Sequence, residues 1–134
     1  VLMFQKEVAD RIVSRFNTKD YGRLSILANW RLKIKKIFDI SPNSFQPKPK
    51  VESTVLFFEP RKNFFKFKNP KNLEKITRIF FMHRRKMIKK PYKQLFSDNE
   101  KIASQMGIDL NLRPQNLNFD TYYEFTKIYE SLRS

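Results

Sequence analysis

His83-Arg84-Arg85-Lys86, followed by Lys89 and Lys90, is the densest group of chemically capable side chains in the 134-residue sequence. Guanidinium and ammonium groups at this spacing can neutralise successive phosphates. On a helix, Arg85 and Lys89 share a face, as do Lys86 and Lys90. Binding by such a ridge weakens steeply as salt rises. The bland alternative is a solvated basic face. Such faces usually mix signs, whereas residues 61–90 hold twelve Lys/Arg and one acid, Glu74. Phosphate binding is the better reading. His83 reads as a packing or surface residue, and one His alone cannot build a zinc site.

A second candidate is the loop Phe45-Gln46-Pro47-Lys48-Pro49-Lys50-Val51. Its prolines make it rigid. A fixed ring on such a loop can stack on an extruded base at small entropic cost. Phe45 can equally cap a sheet edge, and composition alone favours the cap. In Gln5-Lys6-Glu7-Val8-Ala9-Asp10-Arg11, the polar face reads as an i,i+4 pair of Glu7 with Arg11. Lys89-Lys90-Pro91-Tyr92 lacks the Asn or Asp that would hold an amine before Pro-Tyr. The two glycines, Gly22 and Gly107, lie far apart and cannot form a turn that cradles a nucleotide cofactor. No Walker-type loop is present.

Composition narrows the partner. The net charge of +15 predicts a polyanion. Residues 61–90 contribute +11, residues 1–60 contribute +5, and residues 91–134 contribute −1. An adjustment for solubility would spread more evenly. Cysteine is absent, which excludes disulfides and allows a cytoplasmic setting. No apolar run reaches membrane-spanning length, and the N-terminus lacks a signal-peptide pattern. The sequence opens on Val1 in mid-pattern, so it reads as a fragment. With 40% apolar residues and 14 Phe it can bury a core.

The elements that must position these residues follow from periodicity. Val1–Phe4 reads as a strand and Gln5–Phe16 as a helix with Val8, Ile12 and Val13 at helical spacing. After a turn at Asn17–Asp20, a helix starts near Gly22. Arg31–Ile40 alternates with a slip at Ile37 and reads as a strand with a basic face. Val51–Phe58 is a strand. Pro60–Pro70 is a basic, aromatic-rich connector, and Asn69-Pro70 opens a helix. Arg84–Lys90 continues that helix or begins another, and Pro91 interrupts. Ser97-Asp98-Asn99-Glu100 has capping-box spacing. Gly107 stops a helix, and Asn118 or Thr121 opens the last one. Composition and element type both change near residue 60, so a domain boundary is expected there.

Taken together, several segments resemble the KsgA family of 16S rRNA adenine N6,N6-dimethyltransferases. They are Phe4–Arg11, Tyr21-Gly22-Arg23-Leu24-Ser25, and Phe45-x-Pro-x-Pro-Lys50-Val51-x-Ser53. Phe81-x-x-Arg84-Arg85-Lys86 and Gly107-Ile108-Asp109 through Arg113-Pro114-x-Asn116-Leu117 complete the set. Each is weak alone, but their order and spacing over nearly the whole chain are specific.

The resemblance implies an α/β remnant, residues 1–60, from the last strands of a Rossmann-like methyltransferase sheet. A small all-α RNA-binding domain, residues 61–134, follows. It implies S-adenosyl-L-methionine as the parent cofactor, with the motifs that bind it absent from this chain. Phe45 then matches the aromatic that stacks on the target adenine, which reverses the reading from composition. Arg11, Arg85 and Lys86 match basic positions attributed to rRNA contact, and Arg113 matches another family arginine. Lys50, Arg84, Lys89 and Lys90 join them as RNA-binding candidates. Gln115 departs from the usual Glu. The implied partner is 16S rRNA in the immature small ribosomal subunit, met by a cytoplasmic monomer that is inactive alone. A 23S rRNA methyltransferase of the same superfamily and a free-standing basic RNA-binding module are the alternatives.

Overall fold

A computed structural model describes residues 1–44, 52–97 and 99–133. Strand β1 (Leu2–Gln5) runs directly into helix α1 (Lys6–Val13). Helix α2 (Arg23–Arg31) runs directly into strand β2 (Leu32–Ile40), and β3 (Ser53–Pro60) returns antiparallel to both. The sheet order is β1–β3–β2. Leu2 faces Leu56, Leu32 faces Pro60, and Ile40 faces Ser53. The register shifts between Lys36 and Phe38. Ile37 is therefore the extra residue of a bulge, and this is the slip in the sequence alternation.

The first half of β3, Ser53 to Leu56, is buried at every residue, and Leu56 faces α1. Ala9 and Ile12 of α1 pack on Leu56 of β3, with Phe4, Val13, Ala28, Ile34 and Phe58 around them. Helices α3 (Lys71–Phe81), α4 (Lys89–Phe96), α5 (Glu100–Met106) and α6 (Phe119–Leu132) surround a larger core. That core includes Ile26 of α2 and Tyr21 just before it, so α2 contributes to both clusters. Aromatic rings fill much of it: Phe80 stacks on Phe125 at 5.4 Å, and Phe96 meets Phe125 at 5.5 Å. Such pairs add about 0.5–1.5 kcal/mol each beyond area burial.

Several boundaries follow local chemistry. Gly107 takes φ +69° and closes α5. Asn118 accepts a hydrogen bond from the Thr121 N–H at 2.9 Å and caps α6. Two expectations are corrected. Residues 82–86 form a turn after α3, and Pro91 lies in the first turn of α4. Pro91 cannot supply the N–H that a continuous helix would need, but a first turn does not need it. Pro91 thus permits a helix that starts at Lys89 without fixing where it starts. The second correction is the capping box: α5 is capped at Asn99, without a side-chain bond. The Tyr92 hydroxyl donates to the Asn99 carbonyl and accepts from the Ala103 N–H at 3.1 Å, which fixes that turn.

Glu130, near the end of α6, is only 6% exposed. Its carboxylate accepts from the Lys68 and Asn69 N–H groups at 2.9 and 3.0 Å and from Asn72 Nδ2 at 2.8 Å. Burial pushes its pKa up, but these donors and nearby Lys127 outweigh burial and hold it below the ordinary carboxylate value. A depressed folded-state pKa gives stability that is present above the unfolded pKa and lost as pH falls through the folded one. Glu130→Ala is expected to destabilise the chain by about 3 kcal/mol, since it strands N–H donors bonded to a charge. Glu130→Gln should flatten the acid limb of a plot of stability against pH in urea melts.

Candidate nucleic-acid interface

Ile88 is the residue that shapes the basic surface. It is fully buried between exposed Met87 and Lys89. Its N–H bonds the Leu112 carbonyl at 2.8 Å, and the Lys86 N–H bonds the His83 carbonyl at 3.0 Å. This pins the turn after α3 against residues 109–113. Arg113 thereby joins Arg85, Lys86, Lys89, Lys90 and Lys93 around a groove of about 810 Å³, with Met87 and Asn111 completing the wall. No acid lines it. None of these six cations has a side-chain hydrogen bond or ion pair with another described residue.

The groove continues. Arg85 and Arg113 also border a depression of about 490 Å³ lined by Asn17, Thr18, Lys19, Arg84, Gln115 and Asn116. Lys19 and Arg84 in turn border a third, of about 390 Å³, with Arg11, Asp20, Gly22, Arg23 and Leu24. Shared walls make one basic track from α4 to α1. Asn17 holds the middle of it: its N–H bonds the Gln115 carbonyl at 2.8 Å, and its Oδ1 accepts from Asn116 Nδ2 at 2.9 Å. Asn17 sits at φ +69°, a backbone position that Asn tolerates better than most residues.

The expected RNA-binding residues divide by the direction of their donors. Arg85, Lys86, Lys89, Lys90 and Arg113 offer theirs to the groove. Arg11 pairs with Glu7 at 3.1 Å on an exposed helix face. Such a pair is worth little and exchanges readily for a phosphate. Arg84 turns inward. Its guanidinium donates to the Tyr21 carbonyl, to Lys19 O at 2.7 Å and to Thr18 O at 3.3 Å, and it lies 6.0 Å from the Phe81 ring. Arg23, on the track but not singled out in the sequence, bonds Thr77 and the Glu74 carbonyl of α3. Lys19 and Lys93 were also missed. Lys93 follows Lys89 by four residues on the same helix, a spacing that would have found it. Lys19 has no such signal.

Phe45 and Lys50 lie outside the described residues. The strands flanking them are held together near that end. Thr54 Oγ1 donates to Asp39 Oδ1 at 2.6 Å, and Lys36 reaches Asp39 at 2.9 Å. These partners, with Lys6 at 3.9 Å, depress the Asp39 pKa. His83 is exposed and borders a small pocket of about 220 Å³ beside α4. Among the described residues, no three His, Cys, Asp or Glu side chains gather to hold a metal. None of the described helices is long and apolar enough to cross a membrane.

A family model described as ribosomal RNA adenine dimethylase matches residues 1–131. Ribosomal RNA small subunit methyltransferase A of Pelagibacter ubique is 63% identical over 133 residues, covering 99% of this chain and 51% of that relative. The protein of the same name from Nitrobacter winogradskyi is 43% identical over 125 residues, covering 91% and 42%. This chain thus spans about half the length of these relatives. Among solved structures, a dimethyladenosine transferase from Plasmodium falciparum matches with TM-score 0.78 at 22% identity, over 97% of this chain and 56% of that one. The 23S rRNA methyltransferase ErmE matches with TM-score 0.60 at 18% identity, over 93% and 53%. At these identities, the structural matches speak for the fold.

Proposed function

Because the chain belongs to the ribosomal RNA adenine dimethylase family, we propose that it is the RNA-gripping part of a 16S rRNA adenine N6,N6-dimethyltransferase. The observation that carries this is the acid-free groove bounded by Arg85, Lys86, Lys89, Lys90, Lys93 and Arg113. It suits docking of folded RNA by phosphate contacts and shape. Residues 1–60 are the end of a Rossmann-like sheet and residues 61–134 the helical RNA-binding domain. The antiparallel order β1–β3–β2, with one edge of β1 unpaired among the described residues, supports that division of labour.

Methyl transfer to N6 needs acceptors that hold a weakly nucleophilic amine and a platform for the flipped base. Phe45 is our candidate for the platform. S-adenosylmethionine supplies the methyl group in this family. We infer that this chain does not hold that cofactor, because its two glycines serve elsewhere: Gly22 lies against the Arg84 guanidinium, and Gly107 closes a helix. We place its site in the part of the relatives' length that this chain does not span.

The chain alone is expected to bind small-subunit rRNA fragments, to show no heat of S-adenosylmethionine binding by calorimetry, and to transfer no methyl group. Tight cofactor binding by these 134 residues would sink the assignment of roles.

A further inference from the structure

A second recess lies apart from the basic track and shares no lining residue with it. It has a volume of about 550 Å³ and forms where the end of α2, the stretch after β3 and the first turns of α6 meet. Its rings are Trp30, Phe64, Phe65, Phe119 and Tyr123. Its backbone is already fixed. Trp30 Nε1 donates to the Phe65 carbonyl at 2.6 Å, and the Arg61 N–H bonds the Arg31 carbonyl at 2.8 Å. Arg61 Nε bonds the carbonyls of Asn29 and Leu32 at 2.9 and 3.1 Å.

We propose that this recess takes an unpaired RNA nucleobase, a contact additional to the basic track; the proposal rests on the RNA-binding reading above. Two features choose this occupant. Around the aromatic floor stand the Asn63 amide, the Asp120 carboxylate and the terminal nitrogens of Arg61. None of these groups has a hydrogen bond to another described residue. They supply acceptors and donors for a base edge, which an apolar side chain would leave unsatisfied. The rim carries the charge that adjoining phosphates require. Arg31 lies 4.5 Å from the Phe64 ring, and exposed Lys62 and Lys66 flank the recess in sequence. A rigid ring platform beside cations is the recurrent solution for single-stranded nucleic acid.

Trp30 is the sole tryptophan of the 134 residues, so its emission reports on this recess. The chain is titrated with a single-stranded RNA decamer and with an abasic ribose-phosphate decamer, binding being followed by anisotropy. The decamer with bases should quench Trp30, and the abasic one should not. Phe64→Ala should weaken the base-bearing decamer about 5- to 140-fold, the effect of losing one stacked base. It should leave abasic binding unchanged. Ultraviolet cross-linking of the unaltered chain should map to residues 61–65, which keeps a test if that variant misfolds. Unchanged Trp30 emission at saturating RNA, or cross-links confined to the basic track, overturns the proposal. If RNA binds and only groove variants weaken it, this inference fails alone. If neither decamer binds, the RNA-binding reading fails with it.

Discussion

A chain with alanine at Arg85, Lys86, Lys89, Lys90 and Arg113 should bind RNA about three thousandfold more weakly at 0.1 M salt. Each phosphate that is no longer neutralised takes about 0.7–0.9 off the slope of log affinity against log salt. Five such phosphates therefore make the slope about 3.5 shallower at the lower value. If the electrostatic contribution fades near 1 M, that is about 3.5 decades at 0.1 M. The five side chains form no hydrogen bond or ion pair with another described residue, so their removal should leave the melting temperature almost unchanged. Alanine at Lys71 and Lys101, exposed but off the track, is the control. A slope equal to that of the parent chain would remove the groove from the binding surface.

Arg84→Ala should have the opposite signature: a large loss of stability. Its guanidinium serves three carbonyls of the turn before α2 from its place after α3. Hydrogen bonds from a charged donor contribute about 1.5–3 kcal/mol each where they are well made. With one of the three long and the site half-exposed, about 3 kcal/mol in total is the expected loss. For a chain of this size that is about 10 °C in Tm, read by calorimetry. Arg84→Lys should not rescue it, because an ammonium cannot present a planar fork to diverging oxygens. Gly22→Ala is the useful contrast. A Cβ there meets Arg84 Nη1 at 3.5 Å, an ordinary contact. Gly22 is the N-cap of α2, so the effect of the substitution should be that of a weakened cap, about 1 kcal/mol, and well below that of Arg84→Ala. A melting temperature for Arg84→Ala equal to that of the parent chain would show that the clamp contributes nothing.

What could be read from the sequence was local. The slip at Ile37 was visible because a bulge breaks a two-residue period at one point. The Asn118 cap and the Gly107 stop were visible because each rests on one residue's own chemistry. A new helix after α3 was one of two readings of the sequence, but its start at Lys89 was not visible. It depends on where Ile88 finds a pocket and on a bond to Leu112, twenty-four residues on. The Ser97 capping box failed for the same reason, since this turn is held from α4, where the Tyr92 hydroxyl bonds the Asn99 carbonyl and the Ala103 N–H. The basic side chains were found by type and density. Their assembly into a track was not visible, because Arg113 and Lys19 reach Arg85 only through the fold. Nor was the inward turn of Arg84, since charge alone does not tell a phosphate ligand from a donor to main-chain oxygen.

The Arg84 clamp carries an evolutionary corollary. Its three acceptors are main-chain oxygens, which every amino acid possesses. Exchange at exposed positions 18 and 19 therefore cannot destroy the contact, and no exchange there can compensate for losing the arginine. Across a deep set of homologous sequences, position 84 should be nearly fixed and yet show no covarying partner in this turn. Methods that infer contacts from correlated substitutions would pass over one of the main tethers between the sheet-bearing and helical parts of the chain.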